Sequence, residues 1–519
     1  MQVPLTIADH LRRARLLYPD RIGIVDEPDQ PAASWGSLTW SEIADRAAAQ
    51  AAGLDALGLG VGERIAVVSH NASRLLTSFY GVSAWGRILV PINFRLSAAE
   101  VSYIVEHSGA RMLLIDPELD EHLANVTAEH RLVIGAEADQ VLLAPGREPR
   151  AWSGDETATA TINYTSGTTA RPKGVQLTHR NLWLNAATFG WHLGIGDRDV
   201  YLHTLPMFHC NGWGMVYAVT AMGGRHIVLR KVDGAEILRR IDSHGVTMLC
   251  GAPAVANAIL DAASTWSGPI PGRDRVRMVV AGAPPPTSTI ERIETELGWE
   301  FIQIYGLTET SPLLTINRGR AETDDLDSWD RARGLSRAGA PALGVEVRIS
   351  VDGEVLARSN VVMEGYWDQP EATADAIHPA NDDPDGGDWF HTGDGGHLDA
   401  EGYLTISDRK KDVIISGGEN VSSIEVEDVI FGHPEVAEVA VIGIPDERWG
   451  ELVTALVVTT PGSSLDESAL IAYTKERLAG YKCPKRVEFR SELARTATGK
   501  LQKFKLREPY WAGRDRQVN

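Results

Sequence analysis

The chain has 519 residues and a formal net charge of −20 at neutral pH. That length exceeds what one growing core usually supports, so two or three domains are expected; so acidic a balance argues against a nucleic-acid or anionic-membrane surface but leaves room for a small anion in a local basic pocket. Cys210, Cys250 and Cys483 lie far apart and form no CxxC, which supports neither a disulfide framework nor a zinc site.

The opening MQVPLTIADHLRRARLLYPD mixes acidic and basic side chains and lacks the apolar centre of a signal peptide. The longest uncharged run, about 245–260, is broken by Pro253 and Asn257 and falls short of the ~20 residues a bilayer span takes. A soluble, cytoplasmic protein with no membrane span is expected. To about residue 400, helical periodicity alternates with β-branched runs: WSEIADRAAAQAAGLDAL before RIAVVS, EVSYIVEHSG before RMLLID, GAEILRRIDSHG before VTMLCG. That alternation predicts a layered α/β domain with largely parallel strands. Two motifs along the way fail. LGLGVGE carries Glu63 where the last glycine of a dinucleotide loop belongs. Asn381, Asp383, Asp385 and Gly386 imitate an EF-hand loop whose twelfth position, Thr392, is no bidentate ligand.

After Asp394 the texture changes to short strands with turns at Asp399 and Gly402, then two helices. Ser422 and Glu425 have capping-box spacing, with Gly432 as a stop; Ser464 and Glu467 repeat the spacing before ESALIAYTKERLAG, which Gly480 closes. The expected division is a large domain over 1–407, a hinge at 408–411 in the charged link SDRKKD, and a small α+β domain over 412–519.

The most informative stretch is TINYTSGTTARPKG, where a β-prone run enters a Ser/Thr/Gly loop followed by one cation, Lys173. Such a loop can turn backbone N–H groups and hydroxyls onto phosphate oxygens. It is not the GxxxxGK[ST] loop, because Arg171 and Pro172 stand before Lys173. On composition alone a solvated linker reads equally well.

The stretch resembles the signature phosphate loop of the adenylate-forming enzymes, the superfamily of acyl-CoA synthetases, firefly luciferase and peptide-synthetase adenylation domains. The other signatures follow in that family's order: LPMFHCNGW at 205–213, AGAPPP at 281–286, YGLTET at 305–310, GYW with PEAT at 365–373, WFHTGD at 389–394, SDRKKDVIISGGENVSSIEVE at 407–427 and RTATGKLQK at 495–503. The resemblance implies a large multi-layer α/β adenylate-forming domain with a small α+β domain on a hinge. It implies a two-step reaction in which a carboxylate attacks the α-phosphate of ATP, releasing pyrophosphate, and a thiol then displaces AMP.

By the same resemblance Thr165, Ser166, Gly167, Thr168, Thr169 and Lys173 hold the β- and γ-phosphates. Glu309, with Thr165, is the Mg²⁺ ligand. Thr308 contacts the α-phosphate; Tyr305 and Gly306 lie at the adenine, whose other side is lined by Gly282, Ala283 and Pro284. Asp394 and Arg409 hold the ribose. Lys500 offsets the repulsion between carboxylate and α-phosphate in the first step and withdraws when the small domain swings about Lys411, bringing Gly417 and Gly418 beside the pantetheine arm of coenzyme A. His209 gates the acyl pocket, and a Cys210/His209 nucleophile pair is rejected because adjacent residues point apart. Trp213, Val216, Tyr217, Gly251, Ala281, Gly306 and Leu307 are expected to wall that pocket. None of them pairs a second charge, which favours a neutral acid.

Gly306 replaces a tryptophan of acetyl-CoA synthetases and argues for an acid larger than acetate. TTARPKG, with Ala170 where glycine is usual, and FHCNGW resemble the methylmercaptopropionate-type, medium-chain and plant aryl acid ligases; Ala494 departs from a common proline. The expected enzyme is an acid:CoA ligase for a short- to medium-chain acid, with homodimeric assembly as an open expectation. The alternatives are an aryl or long-chain acid, a carrier-protein acceptor, and a silent acyl or nucleotide sensor.

Overall fold

Runs such as Ile65–Val68 and Met112–Ile115 are apolar and buried at every position, the pattern of strands covered on both faces. The computed structural model describes all residues except 2, 145, 166–170, 381–385, 410, 411, 418, 447, 496–500 and 513–519, and of Arg409 the backbone alone. Among the described residues there are four sheets.

The first sheet has nine strands, with Glu300–Gly306, Arg277–Val280, Met248–Gly251, Val200–His203, Arg225–Val228 and Ile22–Val25 side by side and parallel. The second has seven, in the order Gly365–Tyr366, Lys173–Thr178, Thr159–Thr165, Ile88–Ile92, Arg64–Val68, Met112–Ile115, His130–Val133. Its first three strands pair antiparallel and the rest parallel. One apolar cluster joins the facing sides of both sheets through the helices Trp40–Ala56, Ser73–Gly81, His179–Leu193 and Met215–Met222. Two further clusters pack helices on the outer faces. The result is alternating helix and sheet layers, and local caps start the helices. Thr39 with Glu42, and Ser97 with Glu100, form reciprocal capping boxes.

The two sheets are also tied by a buried amide. Asn71 Nδ2 donates to the carbonyls of His203, Leu205 and Leu229 at 3.0, 3.0 and 3.1 Å, and Met207 N–H donates to Asn71 Oδ1 at 2.8 Å.

Two sequence expectations need correction. Strands are not largely parallel up to residue 400: Val345–Ile349, Glu354–Ser359, Ile377–Pro379, Asp388–Leu398 and Leu404–Arg409 form a wholly antiparallel third sheet. In the small domain the second helix is Glu467–Lys475, capped by Asp466, which accepts from Ala469 N–H at 2.8 Å. Ser464 is not the cap, because its N–H donates to Glu435, and the helix ends before Gly480. Ser422 does cap Ser423–Phe431, but Glu425 ion-pairs with Lys482 at 2.7 Å. The fourth sheet, Glu419–Val421, Ile414–Ser416, Gly450–Thr459, Val436–Asp446 and Arg486–Phe489, carries this helix on its apolar face.

The central layers bury several imidazoles. His203 Nε2 meets His226 Nδ1 at 3.0 Å, and His226 Nε2 meets Thr220 Oγ1 at 3.0 Å. Burial lowers His10 to about 3, His179 to about 4 and His226 to about 3, and lowers His203 as well. The unfolded chain takes up protons at these side chains below pH ~6.5 while the fold excludes them, so their contribution is complete above that pH and is lost as pH falls towards the depressed values. The melting temperature is therefore expected to fall between pH 7 and 5, a window above most carboxylate titration. A flat calorimetric profile there would contradict neutral burial.

Candidate active site

In an open parallel sheet the crevice beyond the carboxyl ends of the strands is where ligands bind. The strand Val200–His203 leads to His209, Met248–Gly251 ends on Gly251, Arg277–Val280 runs into Ala281–Pro284, and Glu300–Gly306 delivers Tyr305 and then Thr308 and Glu309. His209, Gly251, Ala281, Gly282, Ala283, Pro284, Tyr305, Thr308 and Glu309 thus follow the carboxyl ends of strands in one sheet.

The Tyr305 hydroxyl donates to Asp394 Oδ2 at 2.8 Å, although the residues are 89 apart in sequence. Asp394 is 7% exposed and its N–H donates to Thr392 Oγ1. It stands opposite Arg409 in the antiparallel pair that closes the third sheet. Gly282 has φ +91, a left-handed value suited to glycine, and is exposed, with nothing within 4 Å of where a Cβ would stand. Thr287, directly after the loop, is gripped by the small domain: its N–H donates to Asp428 Oδ1 at 3.0 Å and its hydroxyl to Oδ2 at 3.3 Å. Burial pushes the Asp428 carboxyl up.

Thr165 and Lys173 are cross-strand partners at the open end of an antiparallel pair, so the hairpin holds both ends of the Ser/Thr/Gly loop. The Lys173 ammonium lies 4.6 Å from the centre of the Tyr366 ring. The Tyr366 hydroxyl donates to Glu309 Oε1 at 2.9 Å, and burial with the Glu309 carboxylate pushes that hydroxyl well above its ordinary pKa. Glu309 O accepts from Met363 N–H at 2.7 Å. Tyr366 belongs to GYW, a motif quoted above without a role; the short strand that seats it is what reveals one.

The segment after His209 is unusual. Cys210, Asn211, Gly212, Trp213 and Gly214 all have positive φ, from 46 to 78°, a left-handed turn. It is pinned by Asn163 Nδ2 donating to Asn211 Oδ1 and Asn211 Nδ2 donating to Thr161 Oγ1, both at 3.0 Å. Asn163 and Thr161 sit on the strand that leads into the phosphate-type loop, so both features share one scaffold. Burial raises the Cys210 thiol far above its ordinary pKa, which leaves no thiolate beside His209.

Trp213, Val216, Ala281 and Tyr217 are buried, and Leu307 packs against the same cluster. Tyr217 meets the rings of His10, Phe79 and Tyr80 at about 6 Å, on the core side of its helix. At Gly306 a Cβ would stand 1.6 Å from Pro312 O. Glycine there has a backbone reason, and the argument about acid size from a missing tryptophan loses its force. At Gly251 a Cβ would meet Val255 at 2.9 Å.

Gly417 has φ +63 and donates its N–H to Trp449 O at 2.7 Å. Ser166, Gly167, Thr168, Thr169, Lys411, Gly418 and Lys500 lie outside the described residues, as do the first EF-hand-like positions. At the domain link, Asp408 Oδ2 accepts from Ser423 N–H at 3.0 Å, and Lys503 pairs with Glu427 at 2.8 Å.

Profiles of two families match the chain: AMP-binding enzyme over residues 12–367 and the AMP-binding enzyme C-terminal domain over 425–500. The chain is 36% identical to 2-methylpropanoate–CoA ligase CCL4 of Humulus lupulus, covering 97% of this chain and 95% of that protein. It is 36% identical to 4-hydroxybutyrate–CoA ligase 2 of Metallosphaera sedula, covering 96% and 93%. The crystal structure of the anthranilate CoA ligase AuaEII in complex with anthranoyl-AMP superposes with a TM-score of 0.86 at 25% identity, covering 98% of this chain and 99% of that one.

Tyr305→Phe removes one hydrogen bond to a buried carboxylate, worth a factor of about ten. The expected outcome is a rise of that order in KM for ATP with the fold intact, measured by pyrophosphate release; an unchanged KM would separate the Tyr305–Asp394 contact from nucleotide binding.

Proposed function

Because the chain belongs to the AMP-binding enzyme family and is an AMP-forming acid:CoA ligase, we propose that its acid is a neutral short- to medium-chain aliphatic acid, activated as an acyl-adenylate. The observation that supports this is that Trp213, Val216, Ala281 and Leu307, the residues expected to wall the acyl pocket, are uncharged and share one apolar cluster. A second carboxylate or an amine buried there would go unpaired at a cost of several kcal/mol. The names of relatives acting on 2-methylpropanoate and 4-hydroxybutyrate support a small acid. An aryl acid is the second reading, favoured by the superposition on the anthranilate ligase.

The roles proposed for its residues combine the family resemblance with the contacts described above. Tyr305 stacks on adenine while its hydroxyl orients Asp394 to accept from the ribose hydroxyls. Thr165, Lys173 and the loop between them hold the outer phosphates, and Thr308 faces the α-phosphate. Glu309 and Thr165 offer hard oxygen donors, which suits Mg²⁺ bound through one or two protein oxygens and the phosphates. Held there, the ion would supply positive charge to offset that of the leaving pyrophosphate. Lys500 draws carboxylate and α-phosphate together. The chain divides at a hinge over 408–411, and the grip of Ser423 on Asp408 supports a link that moves with the small domain. Rotation there brings Gly417 and Gly418 to the thiol path past His209. Free buried cysteines suit a reducing cytoplasm.

The test is pyrophosphate and AMP release against a panel of short, medium and aryl acids, with and without CoA. A steep rise with CoA for short or medium aliphatic acids is expected; a preference for benzoate or cinnamate would overturn the aliphatic assignment, and release indifferent to CoA would point to a carrier-protein acceptor. In Lys500→Ala, pyrophosphate release falls by roughly a hundredfold or more while thioester formation from a supplied acyl-adenylate stays within about twofold. Equal loss of both steps would remove Lys500 from the first half-reaction.

A further inference from the structure

Tyr366 is the side chain that joins Lys173, at one end of the phosphate-type loop, to Glu309. Its ring carries the Lys173 ammonium on one face, 4.6 Å from the centroid, and its hydroxyl carries Glu309 Oε1 at 2.9 Å. Tyr366 is 9% exposed and its backbone is held on both sides. Tyr366 lies opposite Val175 on the edge of the strand that begins at Lys173, and Trp367 N–H donates to Gly174 O at 2.7 Å. On the other side Tyr366 N–H donates to Thr373 Oγ1 at 2.8 Å, and a Cβ at Gly365 would meet Thr373 at 2.9 Å. The threonine of PEAT therefore seats the tyrosine of GYW.

A lysine and a glutamate placed at one site attract each other, and a direct pair would occupy the oxygens a cation needs and the ammonium the phosphates need. An aromatic ring can hold both without joining them. Its π face attracts the ammonium, and its phenol donates a charge-assisted hydrogen bond to one carboxylate oxygen, fixing the rotamer of the other. We propose that Tyr366 is a positioning residue for adenylate formation: it holds the Glu309 carboxylate for the nucleotide-bound divalent cation and parks Lys173 for the outer phosphates. The proposal rests on Glu309 being the cation ligand, as inferred above.

The test uses the full chain and three variants, Tyr366→Phe, Tyr366→Leu and Glu309→Gln. The probe is Mn²⁺ bound together with α,β-methylene-ATP, which cannot be cleaved between those phosphates, with bound Mn²⁺ counted by electron paramagnetic resonance. In Tyr366→Phe, Mn²⁺ affinity in the ternary complex is expected to fall about tenfold, the effect of losing a hydrogen bond to a charged group. Metal-free nucleotide affinity and thioester formation from supplied acyl-adenylate and CoA stay at the parent level. Tyr366→Leu additionally weakens metal-free nucleotide binding about threefold, because Lys173 loses its aromatic face.

Mn²⁺ affinity unchanged in Tyr366→Phe but reduced in Glu309→Gln overturns the proposal and leaves the ligand assignment standing. Unchanged affinity in Glu309→Gln overturns the assignment and the proposal together. A parallel loss of both half-reactions in Tyr366→Phe, with a lowered melting temperature, marks a merely structural tyrosine and also overturns it. If Tyr366→Leu does not fold, the phenylalanine variant decides alone.

Discussion

A left-handed turn held by three buried polar side chains is the constraint around which the catalytic rim is organised. Non-glycine residues avoid left-handed backbone at roughly 1–2 kcal/mol each, yet Cys210, Asn211 and Trp213 adopt it in succession. Such strain persists only where the surroundings over-determine it. Here Asn163, Asn211 and Thr161 satisfy one another within the core. Truncating any one would strand the others' donors or acceptors at a cost of about 1–3 kcal/mol. The same strand, Thr159–Thr165, runs up to the Ser/Thr/Gly loop proposed to meet the phosphates. The geometry of the acyl side and that of the nucleotide side are therefore not independent.

The site is assembled from parts that are far apart in sequence but share edges. Parallel strands of the first sheet bring Gly251, Ala281 and Tyr305 to one rim because their registers are locked by ladder hydrogen bonds. The third sheet adds Asp394 through one tyrosine hydroxyl, and the second adds Lys173 through the edge strand that carries Tyr366. The small domain touches this rim at Asp428 against Thr287, next to the Gly282–Pro284 loop. The proposed swing of the small domain would therefore act on the Gly282–Pro284 loop through its neighbour Thr287.

Where sequence reasoning failed, the reason is local. Ser464 and Glu467 have capping spacing, but Asp466 lies closer to the helix start and Glu435 claims the Ser464 N–H from across the domain. The antiparallel third sheet was hidden because burial does not alternate along its strands: Glu354–Ser359 is buried at its first four positions and Val345–Ile349 is half-buried at all but one, which blurs the period-two signal. Gly306 looked like an open pocket floor, yet the partner strand passes within 1.6 Å of where its Cβ would stand. A missing side chain carries no sign saying whether a ligand or a neighbouring backbone excluded it.

Fold class, the alternation of helices and strands, and the order of the signature motifs were readable from residues alone, because hydrophobic period and glycine placement act over a few neighbours. With the family resemblance added, they nominated the candidate groups: the Ser/Thr/Gly loop with Lys173, Glu309, Asp394 and the lysine of RTATGK. Contacts between those groups depend on sheet register and on which strand takes an edge, and these are set by packing over the whole domain. For that reason Tyr305 on Asp394, Tyr366 between Lys173 and Glu309, and the Asn163–Asn211 pair emerged only in the folded chain.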